Sequence, residues 1–130
     1  MFKINGHTIL LTRGDECTIT LKVRPVDTGS NEEYAFKPGD LIAFGVYSKK
    51  GLDSPPLLLK EIAIEENTNI VNISLESSET KLGLMLNKPI EYWYEIQLNY
   101  KQTILGYDES GPKVLMLYPE GDDVNESGTE

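Results

Sequence analysis

The chain is poor in the residues that most often carry chemistry. Among 130 residues there is one cysteine, Cys17, and one histidine, His7. A lone cysteine excludes an internal disulfide framework and any zinc site built on several thiolates. A lone histidine restricts any catalytic triad to His7, in the N-terminal segment. No HExxH, CxxC, GxSxG, P-loop or dinucleotide-binding fingerprint occurs. Uninterrupted apolar runs are short, far below the length of a membrane span. The first seven residues are broken by Lys3, Asn5 and His7 and have no signal-peptide core, so the chain is expected to be cytoplasmic at synthesis. Neither an enzymatic role nor a metal or cofactor is expected from this inventory.

Positive charge is also scarce. Twelve Lys and Arg stand against 21 Asp and Glu, a net charge of −9. Phosphate neutralisation needs clustered bases. Here the bases are scattered, Lys49–Lys50 being the one adjacent pair, so no nucleic acid is expected as a partner. Five acids and no base lie between Glu120 and Glu130. Without them 21 acids become 16, against 12 bases, so residues 1–119 carry −4. The expected organisation is one domain over 1–119 and an acidic, disordered tail over 120–130.

What the chain has in abundance is alternation of period two in short segments bounded by Gly, Pro, Asn and Asp. In Cys17 to Arg24, residues Cys17, Ile19, Leu21 and Val23 face one way and Thr18, Thr20, Lys22 and Arg24 the other. Lys37-Pro38-Gly39-Asp40 is a turn, with Pro fixing φ and Gly supplying a positive φ. It launches Leu41 to Tyr47, apolar on both faces and expected at the sheet centre. Further strands are read at Ile9–Leu11, Leu57–Glu65, Ile70–Glu76, Ile90–Tyr100, Gln102–Asp108 and Lys113–Tyr118. The Ser77–Met85 stretch is read as at most a single helical turn opened by a serine cap. About eight strands with almost no helix imply an all-β fold, a single antiparallel β-sandwich of immunoglobulin-like or jelly-roll-like form. Parity assigns Cys17, Ile19, Leu21, Val23, Phe44, Val46, Ile73, Leu75, Tyr94 and Ile96 to one core.

Some residues invite a functional reading. Arg13-Gly14-Asp15 spells a tripeptide that adhesion receptors recognise, but a tight turn needs Gly and Asp for backbone reasons alone. Cys17 has inward parity, which makes it a buried thiol rather than a nucleophile. The matches to the glycosylation sequon at Asn72 and Asn125 carry no weight without a secretory signal. Trp93 falls among Glu91, Glu95, Gln97 and Asn99 on the polar side of its strand. An indole so placed is either covered by the protein's own chain, the commoner case, or used for contact. With Lys49 and Lys50 in the loop that ends at Pro56, Trp93 is the candidate interaction surface.

The order of these pieces resembles the N-terminal β-sandwich of phage baseplate upper proteins and related tail proteins of Gram-positive phages and prophages. The segments that carry it are Pro38 to Val46, Leu58-Leu59-Lys60-Glu61-Ile62, Ile70 to Leu75 with Ser78-Glu79-Thr80, Tyr92-Trp93-Tyr94-Glu95-Ile96, Thr103-Ile104-Leu105 and Val114 to Glu120. The resemblance implies a non-enzymatic structural or assembly module of a phage tail, resident in the virion. Its partners would be other copies of itself, as a homo-oligomer, or another tail protein. The alternative is a carbohydrate- or ligand-binding sandwich in which Trp93 and nearby tyrosines form a stacking platform.

Overall fold

The structure, a computed structural model, describes residues 1–23, 34–49, 55–83 and 87–120. Among them are nine strands: β1 (Phe2–Asn5), β2 (Thr8–Thr12), β3 (Cys17–Leu21), β4 (Leu41–Ser48), β5 (Leu58–Ala63), β6 (Val71–Leu75), β7 (Ile90–Leu98), β8 (Gln102–Leu105) and β9 (Lys113–Tyr118). The fold class is as the alternation implies. Seven strands make one sheet in the order β1-β2-β9-β7-β4-β5, with β8 also on β7, and β3 pairs with β6 in a second sheet. The second sheet lies over the apolar face of the first, giving a lopsided sandwich. Every pairing is antiparallel except β2 with β9, which runs parallel. Alternation along one strand says nothing of its neighbour's direction, so the sequence carried no sign of that pair.

The apolar stripes meet in one core. Cys17, Ile19, Phe44, Val46, Ile73, Leu75, Tyr94 and Ile96 are buried in it, and Leu21 and Val23 pack at its margin, as parity assigned them. The outward threonines of β3 serve the small sheet differently. Thr18 and Ser74 hydroxyls meet at 3.1 Å, and the Thr20 hydroxyl donates to Asn72 Oδ1 at 3.1 Å. Such cross-strand pairs fix register on a solvated face.

The turns are held by buried polar groups. The Lys37-to-Asp40 turn closes with Asp40 N–H donating to Lys37 C=O at 3.0 Å, and Gly39 takes φ +98°. The buried Asp40 carboxylate accepts from Lys37 N–H (3.1 Å), the Tyr34 hydroxyl (3.2 Å) and Asn99 Nδ2 (3.1 Å). Asn99 Oδ1 in turn accepts from Leu41 N–H at 2.7 Å, so this network locks the start of β4 to the β7–β8 hairpin. The expected helical turn is present as a turn over 77–80. There Glu79 reaches back to the Glu76 N–H at 2.9 Å, in the manner of a capping box, and Lys60 Nζ holds both its carboxylate oxygens, at 3.0 and 3.1 Å. Apart from Glu120, the expected tail lies outside the described residues, as does Lys50.

Candidate functional site: the outer face of the large sheet

Pairing register places the side chains that alternate away from the core. Tyr47, Trp93 and Val114 stand in one row across β4, β7 and β9, and Leu59, Gly45 and Glu95 stand in the next, across β5, β4 and β7. One row further, Glu61 and Gln97 flank Ala43, while on the other side Glu91 faces Met116. Aromatic rings and carboxylates therefore interleave on the outer face of the central strands.

Trp93 is part-buried. Its Nε1–H donates to Glu91 Oε2 at 3.1 Å, and its ring lies 5.6 Å from that of Tyr107, at an interplanar angle of 59°. Tyr107, on the β8–β9 connection, is 59% exposed, so the indole is partly roofed by its own chain and the roof is itself open to solvent. Lys49 is exposed and sits 3.9 Å from Glu91 Oε2, a pair of small energetic weight. Of the three residues named from the sequence, Trp93 and Lys49 thus meet at Glu91, and Lys50 is not described.

Sequence reasoning passed over the neighbouring residues that make this a surface. A Cβ added to Gly45 would lie 3.0 Å from both Cε1 and the hydroxyl oxygen of Tyr47. The Tyr47 ring therefore lies across its own strand, over the space that Gly45 leaves. Its hydroxyl donates to Glu95 Oε1 at 3.3 Å. Burial first, and then the Glu95 charge, push the Tyr47 phenol above its ordinary pKa. At the hairpin tip Tyr100 donates its hydroxyl to Glu61, and that bond, ahead of burial, raises its pKa as well. Both phenols stay neutral donors at physiological pH.

The buried titratable groups Arg13, Lys113 and Cys17 belong to the structure. Arg13, buried to 9% exposure, donates from Nη1 to Glu120 (3.0 Å) and from Nε and Nη2 to the carbonyls of Leu82 (3.3 Å) and Gly83 (3.2 Å). A receptor could not take hold of a guanidinium so placed, and the Arg13-Gly14-Asp15 turn is structural, with Gly14 at φ +88°. Lys113 shares the inner parity of β9 but pairs with Asp108 at 2.9 Å. The thiol of Cys17 is pushed up to about 11 by burial and then by Asp15, which makes it a poor nucleophile at neutral pH. No group of three or more His, Cys, Asp or Glu among the described residues could hold a metal ion. No helix among them is long and apolar enough to cross a membrane.

A cavity of about 310 Å³ opens at the other side of the large sheet, lined by Ile9, Ile19, Leu21, Tyr94, Ile96 and Leu105, with exposed His7 at its rim. The Tyr94 hydroxyl there donates to the His7 carbonyl, and burial pushes its pKa up to about 12. No carboxylate lines this cavity, so His7 has no acid partner in it.

Compared with protein-family models, with curated proteins and with solved structures, the chain finds no match.

Proposed function

We propose that the chain is a non-enzymatic structural or assembly module of a phage or prophage tail, working through protein–protein contacts made by the outer face of its large sheet. The observation that carries this reading is the Trp93–Tyr107 ring pair on that face, centroids 5.6 Å apart with Tyr107 59% exposed, and a second exposed ring, Tyr100, at the β7–β8 hairpin tip. Aromatic side chains are the usual energetic anchors of protein interfaces, especially where they back onto a rigid support. Here the support is β7, at the middle of the sheet. The non-enzymatic part rests on the buried charges, since Asp40, Arg13 and Lys113 are each occupied in holding a turn. The tail context rests on the resemblance, whose segments include the turn into β4 and the Tyr92-to-Ile96 stretch of β7.

The test begins with the genes on either side, which are expected to encode virion structural proteins. Each neighbour is then co-expressed with the tagged chain. A complex with one of them, or a homo-oligomer by light scattering, is expected, and Trp93→Ala should weaken it without unfolding the protein. A strict monomer that captures none of its neighbours would refute the reading. A second reading, a carbohydrate-binding face, is favoured by the Tyr47 ring, which occupies the space left by Gly45 and stands beside Trp93 in register. Retention on a polysaccharide column, lost in Tyr47→Ala, would establish it instead.

A further inference from the structure

We infer that the outer face docks a cationic segment of its partner, with arginine side chains stacked on the rings and paired with the carboxylates between them. The inference rests on the protein-contact reading above and names the chemistry of the partner.

The hydrogen bonding of the face sets what it can offer. Trp93 Nε1–H, the Tyr47 hydroxyl and the Tyr100 hydroxyl are all turned sideways onto its own carboxylates, Glu91, Glu95 and Glu61. What projects outward is therefore ring faces and the remaining carboxylate lone pairs, since a carboxylate has about four acceptor sites and these bonds each take one. Guanidinium fits that offer on both counts, because it is planar, rich in donors and stacks on aromatic faces. The Tyr47 ring, seated in the space left by Gly45, supplies one aromatic group. The charge balance agrees: among the described residues Lys49 is the cation seen at Glu91, and the whole chain carries −9. A second copy would set the same carboxylates against themselves, whereas a basic partner would be steered in.

The hairpin tip supplies a separate observation. Asn99 and Tyr100 both take positive φ, +56° and +55°, as the two central residues of a type I′ turn demand. Asparagine suits its position, but a bulky residue in the second position is strained where glycine is not. Tyr100 is 50% exposed, so its ring does little for the core. Its side chain serves the face, at the expense of the turn. Spacing also restricts the partner. Glu91 and Glu95 are four residues apart on one strand, about 13 Å, so an extended segment alongside would meet them with arginines four residues apart.

Trp93 is the sole tryptophan, so its fluorescence reports this face directly. The probe is a synthetic serine peptide carrying two arginines four residues apart, with a glutamate counterpart as control. A saturable change in Trp93 emission is expected with the arginine peptide alone, weakening about tenfold between about 50 and about 300 mM salt. Glu91→Gln with Glu95→Gln should weaken it about tenfold or more. Tyr100→Gly should also weaken it, while its melting temperature equals or exceeds that of the parent protein, a result that loss of fold cannot imitate. Equal response to the glutamate peptide, or none to the arginine peptide, overturns the inference. If the arginine peptide fails but Trp93→Ala still dissolves a homo-oligomer, the cationic partner is wrong and the assembly reading stands. If a neutral oligosaccharide produces the emission change instead, both fall.

Discussion

Replacing Arg13 by methionine should unfold the protein at markedly lower denaturant, because one side chain there closes three gaps at once. Its guanidinium links the end of β2 to the Leu82 and Gly83 carbonyls and to Glu120 just past β9. At 3.0 Å, with an effective dielectric constant of about 20, the bare attraction to Glu120 is roughly 5 kcal/mol. Desolvation of two side chains that are only 10% and 19% exposed cancels much of that, so the pair's net worth is small. Truncation costs more than the net worth, since it leaves Glu120 and two carbonyls without the donor around which they are arranged. A loss of about 3 kcal/mol is expected, toward the low end for a broken buried pair because Glu120 keeps some access to water. In a chain of this size that lowers the melting temperature by about 10 °C. Urea titration of Arg13→Met, Glu120→Gln and the double variant gives the coupling. The double variant should lose about 1–2 kcal/mol less than the sum of the singles. Arg13→Lys separates charge from shape: one ammonium cannot reach three acceptors on separate segments, so it should recover half of the loss or less. A cost below about 1 kcal/mol for Arg13→Met, or full rescue by lysine, would show that the clamp does not hold these segments together.

Two further expectations concern the core and pH. Ile96, 2% exposed on β7 with Phe44 and Leu105 as its register partners, should cost about 2–5 kcal/mol when cut to alanine, and a loss under about 0.5 kcal/mol would contradict its placement in the core. Folding lowers the Asp40 pKa, chiefly through the Asn99 amide and then the Lys37 N–H, so its stabilisation is whole above the ordinary 3.8 and fades as pH falls below it. Glu79, lowered from 4.5 first by the Glu76 N–H, acts in the same direction. Urea midpoints measured down to about pH 2.5 should drop through this window, and the drop should be shallower in Asp40→Asn; a midpoint flat in pH would refute the linkage.

The fold was legible because one physical signal dominates it. A strand that buries one face must alternate, and Cys17 to Leu21, Val71 to Leu75 and Tyr92 to Leu98 do so without exception. What escaped reading lacked that signal or had it too briefly. β1 alternates only through Phe2 and Ile4, and it counts as a strand because the Gly6 turn, at φ +62°, folds it onto β2. Phe36 is fully buried yet lies outside the named strands, fixed by backbone bonds to Thr68 that no local pattern announces. Lys113 keeps inner parity beside Leu115 and Leu117 because Asp108, in the preceding turn, supplies its counter-charge at 2.9 Å.

The candidate site was legible at Trp93 and Lys49 and no further, and the reason is geometric. Parity places the indole on the polar side of β7, and that much is one-dimensional. What turns a lone tryptophan into a face is the register of β4 against β7, which sets Tyr47 beside Trp93 and Gly45 beside Glu95. In the sequence Gly45 is only the residue without a side chain in an otherwise apolar run. In three dimensions its absent Cβ leaves the space that the edge and hydroxyl of the Tyr47 ring occupy. The signal at Tyr100 was the short gap between the strands read at Ile90–Tyr100 and Gln102–Asp108, where Asn99-Tyr100 stands and Asn-Gly would close a type I′ hairpin best. Tyr100 fits its turn badly, and its hydroxyl is tied to Glu61 across the outer face. Folding gains little from a phenol half in water. Under the proposed docking role, its use lies with what the outer face meets.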